Sequence, residues 1–382
     1  MRVLIITNLF PNKSQPDRGV FNKQQFLELK NFCEFRVVAP LPWMPKSLAK
    51  GDKAFLNEVP AEEIIEGIKV YHPRYLVTPK VGRNLYGFFY FLGIKNTVKK
   101  IYQTFSFDAI FATWAYPDAF AAALVSRIFE KPLIIKVHGT DINVAGQYFL
   151  RRKMMAYAFD TAQKVIAVSI PLREKIIAMG IPPQKVVLVS NGLNKEIFRK
   201  MDKKECQRNL SLDSNKKHVV YIGNLVPIKG VKYLVEAFRD MPENISLNII
   251  GDGELKMELE KESRTLNLTN RINFLGKRPH QEMPLWFNAA DVFCLPSLNE
   301  GCPNVILEAM ACGAPIVASR VGGIPDLVSA DQGLLIEPAD PEALTQALKA
   351  VITRPTNGAQ KIEILTWKEN AQKVYSIFQD TK

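Results

Sequence analysis

The chain has 382 residues, 47% of them hydrophobic, with 50 Lys and Arg against 38 Asp and Glu. That length suits two domains of ordinary size, and that apolar content excludes intrinsic disorder. Five scattered cysteines and four scattered histidines make neither a disulfide framework nor a metal-ligand cluster, and no apolar run approaches the ~18 residues of a membrane span.

In chain order, RVLIIT (2–7) opens the sequence. It is too short and too soon interrupted for a signal peptide and reads as a first strand. Similar runs follow at FRVVA (35–39), DAIFA (108–112), LIIKV (133–137), KVIAV (164–168) and VVLV (186–189), with helix-like stretches between most of them. A charged stretch, 198–218, breaks the pattern. It restarts with VVYIG (219–223), SLNII (246–250), INFL (272–275), DVFCL (291–295), PIVA (315–318) and GLLI (333–336). Short apolar strands alternating with helices indicate parallel sheets covered on both faces. We read an α/β protein of two Rossmann-like domains, 1–196 and 197–360, facing across a cleft, with an amphipathic C-terminal helix within 361–382. Ligands of such sheets bind beyond the carboxyl ends of the strands. A dinucleotide loop would need G-x-G-x-x-G after the first strand, and TNLFPNKSQPDRGV lacks it, which argues against an NAD-linked oxidoreductase.

Charge is uneven. Residues 1–200 hold 29 Lys and Arg against 15 Asp and Glu, and residues 201–382 hold 21 against 23. A basic first half suggests an anionic surface as partner. No zinc-finger, RNP or helix-turn-helix signature supports nucleic acid, so anionic lipid headgroups or a phosphorylated lipid carrier fit better. The stretch 80–105 mixes aromatic and basic residues. It reads either as a membrane-surface element or as a core helix with solvated lysines.

The most informative segment is SLNEGCPNVILEAMACG, 297–313. Glu300 sits in a Ser/Asn/Gly/Pro-rich loop, and Glu308 lies inside an apolar run. Pro303 suits the first turn of a helix ending near Cys312, with Gly313 as its stop. A carboxylate on so apolar a helix costs several kcal/mol unless donors reach it. The helix start offers backbone N–H groups and a positive dipole end to a phosphate. Together they suggest a ligand with hydroxyls and phosphates, a nucleotide-sugar.

This segment resembles the E-x7-E signature of retaining GT-B glycosyltransferases of the family 4 class. HGTD (138–141), SNGL (190–193), YIGNLVPIKG (221–230), GDGEL (251–255), FLGKR (274–278) and ASRVGGIPDLV (318–328) agree in the same order. The opening TNLFPNKSQPDRGVF is similar to enzymes of bacterial capsular, teichuronic-type or exopolysaccharide synthesis. The resemblance implies that Glu308 holds the nucleotide ribose, that Glu300 faces the sugar, and that backbone amides of Cys302, Asn304 and Val305 meet sugar and phosphate. It implies that Lys229 neutralises the leaving diphosphate, that Gly19 approaches donor sugar and diphosphate, and that His138 hydrogen-bonds the donor sugar. Asp141 would position an acceptor hydroxyl, and the loop Gly276-Lys277-Arg278 would meet the nucleobase through its main chain. Asn191 and Gly192 lie in a strand-to-loop turn. Asn224 stands where the family usually has an arginine. Either it hydrogen-bonds the phosphate, or Arg173 or Lys175 assists, or turnover is low. The C-terminal helix would cross back onto the first domain.

The reading is a cytoplasmic enzyme, peripheral at the inner face of the membrane. It would move a hexose from a nucleotide diphosphate sugar to a hydroxyl of a lipid-linked glycan, with retention and without a bound metal or cofactor. The rivals are a sugar-nucleotide 2-epimerase, which needs acid–base side chains at the sugar, and a non-catalytic sugar-binding protein with a decayed site.

Overall fold

The structure is a computed structural model that describes residues 1–45, 51–78, 83–139, 141–142, 146, 148–353 and 364–381. Residue 140 of the HGTD motif, residues 80–82 of the aromatic–basic stretch, and residues 354–363, where the second expected domain ends and the C-terminal run begins, lie outside the described residues. The chain forms two compact units, Met1–Gly192 with Trp367–Lys382, and Leu193–Thr366.

The first unit is built on an eight-stranded sheet, in order β10-β9-β8-β7-β1-β2-β5-β4. The strands are β1 (Arg2–Ile6), β2 (Glu34–Val38), β4 (Glu62–Ile65), β5 (Ile68–Tyr71), β7 (Ala109–Ala112), β8 (Leu133–Val137), β9 (Lys164–Ala167) and β10 (Val186–Leu188). Its central strands are continuous apolar runs because helices cover both faces, so alternation gives way to full burial. Only β4 runs antiparallel, as an exposed edge paired to β5. A separate two-stranded ribbon joins β3 (Leu41–Trp43) to β6 (Arg74–Leu76). These four peripheral strands escape the sequence reading because they are short and carry charges or proline instead of an apolar run.

The C-terminal helix Trp367–Gln379 belongs to this unit. It buries Trp367, Ala371, Val374 and Phe378. Phe378 packs edge-on against Phe111 of β7, 5.2 Å between ring centres. Val374 and Phe378 each contribute roughly 1.5–3 kcal/mol relative to exposure. Asn370 adds a polar tie, donating to the Ser190 carbonyl at 2.6 Å and accepting from Gln25 of the helix Val20–Leu29. That helix and Trp367–Gln379 therefore share both apolar and polar contacts.

The aromatic–basic stretch forms the helix Tyr86–Thr104. One face, with Tyr90, Phe91, Ile94, Val98 and Ile101, is buried in the unit. The opposite stripe, Leu85, Phe88, Leu92, Asn96 and Lys99, follows the 3–4 spacing of a helix and is exposed. The buried face fits the core-helix reading of this segment.

The second unit carries a six-stranded, all-parallel sheet, in order β13-β12-β11-β14-β15-β16. These are β11 (Lys217–Ile222), β12 (Ile245–Ile250), β13 (Ile272–Gly276), β14 (Val292–Leu295), β15 (Ile316–Ser319) and β16 (Gly333–Ile336). The charged stretch before β11 is not a plain break. It holds the helix Lys203–Asn209, because Asp202 caps it by accepting from the Glu205 N–H at 2.8 Å. Both sheets are doubly wound. Strand order reverses between β1 and β7 in the first unit and between β11 and β14 in the second, and such switch points open crevices at the carboxyl ends of strands.

Candidate functional site

In the second unit, the loops after β11 and β14 meet at the switch point. Lys229 ends a short turn, Pro227–Lys229, and Gly230 follows in the left-handed region at φ 62°. A side chain at Gly230 would run into the Pro296 carbonyl oxygen, so only glycine lets the two loops approach. Leu298 N–H then donates to the Ile228 carbonyl at 2.8 Å. These backbone ties bring Lys229 Nζ to 2.6 Å from Glu300 Oε1, and Ser297 Oγ donates to the same oxygen at 2.6 Å. Glu300 is 6% exposed, so it is no solvated loop residue. Gly322, at φ 54°, lies against the Glu300 carbonyl where a side chain would clash, and the Gly323 N–H donates to the Gly301 carbonyl at 2.7 Å.

The helix that follows runs Asn304–Cys312. It begins one residue later than the sequence suggests. Pro303 is extended, stands at the cap position and supplies no side-chain acceptor, and Gly313 closes the helix at φ 75°. An uncapped N-terminus of this kind attracts anions. Cys302 is buried, and Asn304 and Val305 are half-buried on the first turn. Glu308 lies one turn on and is 8% exposed. Its carboxylate Oε1 is 3.0 Å from Nε2 of His280, a residue the sequence reading did not select. The signal available was a lone histidine two residues past the GKR loop. Ser297, three residues before Glu300, was missed as well. Asn224 is exposed on the loop after β11, whose backbone is held by the Tyr221 hydroxyl donating to the Asn224 carbonyl at 3.0 Å. Arg278 is exposed just beyond β13.

In the first unit, Gly19 precedes the helix Val20–Leu29 in the left-handed region at φ 63°, where a side chain would meet the Leu9 backbone. Phe21 of that helix packs on the His138 ring, 4.7 Å between centres, and Trp114 stacks on it at 5.9 Å. Gly19 and His138 thus belong to one neighbourhood. His138 Nε2 is buried and meets no partner among the described residues. Burial, with the Lys136 charge nearby, holds the imidazole pKa well below its ordinary value, so the ring is neutral at pH 7.

Asp141 is tied to the backbone around it. It is 2% exposed, and its carboxylate accepts from the backbone N–H groups of Ala115, His138, Gly139 and Ile142. Here it fixes the loop that carries His138. A second buried acid was missed altogether. Asp118 follows β7, is fully buried, and accepts from the Asn8 N–H at 2.7 Å, across the switch point from β1. Arg18 Nε holds the Asn8 carbonyl at 3.0 Å. Burial pushes the Asp118 carboxyl up to about 8, offset only in part by the Asn8 N–H. Arg173, offered as a substitute for the missing arginine, donates through Nε to the Val186 carbonyl at 3.3 Å. Among the described residues no cluster of three or more His, Cys, Asp or Glu could hold a metal ion. All five cysteines are buried and none forms a disulfide.

Two doubly wound units, each with polar side chains gathered at its switch point, define a two-domain Rossmann-like protein of the GT-B type. Comparison with known proteins agrees. The model of glycosyl transferases group 1 matches residues 202–374, and that of glycosyltransferase family 4 matches residues 48–197. TuaC of Bacillus subtilis, a teichuronic acid biosynthesis glycosyltransferase by name, is 30% identical over 360 residues, 91% of this chain and 88% of its own. The N-acetyl-alpha-D-glucosaminyl L-malate synthase of Bacillus anthracis is 27% identical, over 66% of this chain and 67% of its own. Among solved structures, Anabaena HepE in complex with UDP aligns with a TM-score of 0.71 at 23% identity, over 99% of this chain and 95% of its own. Sucrose-phosphate synthase of Thermosynechococcus elongatus aligns with a TM-score of 0.76 at 18% identity, over 99% and 94%. These two establish the fold. The chain belongs to the group 1, family 4 glycosyltransferases.

Proposed function

We propose that this glycosyltransferase moves a hexose from a nucleotide diphosphate sugar to a hydroxyl of a lipid-linked glycan, with retention at the anomeric carbon. The observation that carries the reading is the Lys229–Glu300 pair at the switch point of the second sheet, beside the uncapped start of the helix Asn304–Cys312. Lys229 and the helix start take up charge that grows on the leaving diphosphate, which favours the transition state over the bound donor. Glu300 orients the sugar, and Glu308 accepts from the ribose hydroxyls. Main-chain groups of Cys302, Asn304 and Val305 serve sugar and phosphate, and those around Arg278 serve the base. Neutral His138 donates to a sugar hydroxyl, and the Gly19 turn admits the donor closely. The proton of the attacking hydroxyl passes to the leaving phosphate.

UDP accompanies HepE in its solved complexes, and TuaC carries teichuronic acid biosynthesis in its name. Both favour a uridine donor and a cell-envelope glycan acceptor for this chain. The basic first half and the exposed Leu85–Phe88–Leu92–Lys99 stripe support work at the inner membrane surface. No helix among the described residues is long and apolar enough to cross a membrane.

The test is a thermal-shift screen with UDP-, GDP- and ADP-sugars, followed by transfer assays with a polyprenyl-linked acceptor and NMR of the new anomeric centre. One nucleotide series should stabilise the protein, and release one diphosphate per sugar transferred with the donor's configuration kept. Turnover of donor into an epimer without net transfer would replace this reading with the epimerase. Binding without turnover would replace it with the sugar-binding protein. Glu308→Ala should cost about 1.5–3 kcal/mol of donor binding, tenfold or more in affinity.

A further inference from the structure

His280 stands next to the proposed ribose carboxylate and has no role in the reading above. Glu308 is buried on a helix whose neighbours are Ile306, Leu307, Ala309 and Met310. A buried carboxylate needs several donors to balance its lost hydration. Among the described residues His280 is the one hydrogen-bond partner of this carboxylate, through Nε2 on Oε1 at 3.0 Å. The His280 side chain is 38% exposed, while that of Glu308 is 10% exposed. The imidazole therefore stands at the rim, with solvent on one side and the carboxylate on the other.

The histidine is itself braced. It opens the turn His280–Glu282, with the Glu282 N–H donating to the Pro279 carbonyl at 2.9 Å. Glu282 accepts from the buried Trp286 Nε1 at 2.8 Å, which pins the turn to the helix Met283–Ala289. The Phe198 ring meets the imidazole edge-on at 5.2 Å between centres. A donor supported in this way fixes the plane of the carboxylate it holds. One oxygen is occupied, and the other is left to accept from a ligand.

We propose that His280 is a positioning residue for nucleotide recognition: by holding Oε1 of Glu308 it orients the carboxylate so that the second oxygen selects a ligand bearing ribose hydroxyls. The inference rests on the ribose role given to Glu308 above. It makes His280 act only through hydroxyl recognition, with no contact of its own to base or phosphate.

The test is calorimetric titration of wild type, His280→Ala and His280→Gln with UDP and with 2′-deoxy-UDP. Wild type should prefer UDP by about tenfold, the worth of one charged hydrogen bond. His280→Ala should weaken UDP toward the 2′-deoxy-UDP value and leave the affinity for 2′-deoxy-UDP unchanged, so that the preference collapses. His280→Gln, which keeps a donor, should restore part of it. Equal weakening of both nucleotides in His280→Ala, or a preference that survives there, overturns the role of His280 while leaving Glu308 in place. A wild type that binds both nucleotides alike, or neither, overturns the ribose assignment and this inference with it. If His280→Ala does not fold, His280→Gln decides: a preference that matches wild type or falls between wild type and none supports the role, and equal weakening of both nucleotides overturns it.

Discussion

Lys229 Nζ and Glu300 Oε1 lie 2.6 Å apart although 71 residues separate them in the chain. In the reading proposed above, the cation assigned to the diphosphate is paired with the carboxylate assigned to the sugar. On that reading an incoming diphosphate competes with Glu300 for Lys229, and the released carboxylate turns to the sugar.

Glu300→Gln should therefore bind free nucleoside diphosphate more tightly than wild type, by up to about tenfold, while transfer falls by two orders of magnitude or more. Lys229→Ala should lower kcat more than it raises the donor KM, because the charge it meets grows in the transition state. Titration calorimetry and steady-state kinetics read both. Weaker diphosphate binding in Glu300→Gln would show that the pair is not competitive.

Asn224 is exposed on the loop beside this pair. Asn224→Arg adds a second cation where the fold family usually has one, and should preserve or raise turnover. A loss of more than about tenfold would place the Asn224 side chain away from the phosphates.

Asp118 gives a pH signature to stability. Its carboxyl titrates near 8 when folded, against an ordinary 3.8, because burial disfavours the anion. Between pH 3.8 and about 8 the folded chain keeps a proton that the unfolded chain has released. Stability contributed by this group is complete below 3.8 and is lost as pH rises through about 8. Asp118→Asn can keep an acceptor for the Asn8 N–H and carries no charge at any pH. Its melting temperature relative to wild type should rise steadily from pH 5 to pH 8.5. A constant offset across that range would rule the assignment out.

The membrane docking proposed above rests on charge and on the exposed stripe along the helix Tyr86–Thr104. Each Lys or Arg near an anionic surface contributes ~1 kcal/mol. The protein should co-sediment with anionic vesicles and much less with neutral ones. Binding should fade as salt shortens the Debye length from ~10 Å at 0.1 M to ~3 Å at 1 M. The Lys95/Lys99/Lys100→Glu variant should bind anionic vesicles far less. Equal binding by the variant, or binding insensitive to salt, would remove this helix from the interface.

The sequence by itself determined the twelve strands of the two sheet cores, because a parallel strand covered on both faces must be a continuous apolar run. It also pointed to Glu308, since a carboxylate inside an apolar segment demands a partner, and to Glu300 through the motif the two share. It could not show β3 to β6, whose short edge strands leave no such pattern. Nor could it name the partners. Lys229 reaches Glu300 only because Gly230 lets the loop after β11 press on the Pro296 carbonyl. His280 reaches Glu308 only because the loop beyond β13 folds toward the helix Asn304–Cys312. The same holds for Asp141 and Asp118, alike in sequence as acids just past a strand. Four backbone N–H groups surround the carboxylate of the first, and a single backbone N–H bonds that of the second, deep in the unit. Local pattern fixes which residues are buried, but the loops that converge at a sheet's carboxyl edge come from distant strands, and only their packing decides which donor meets which acid.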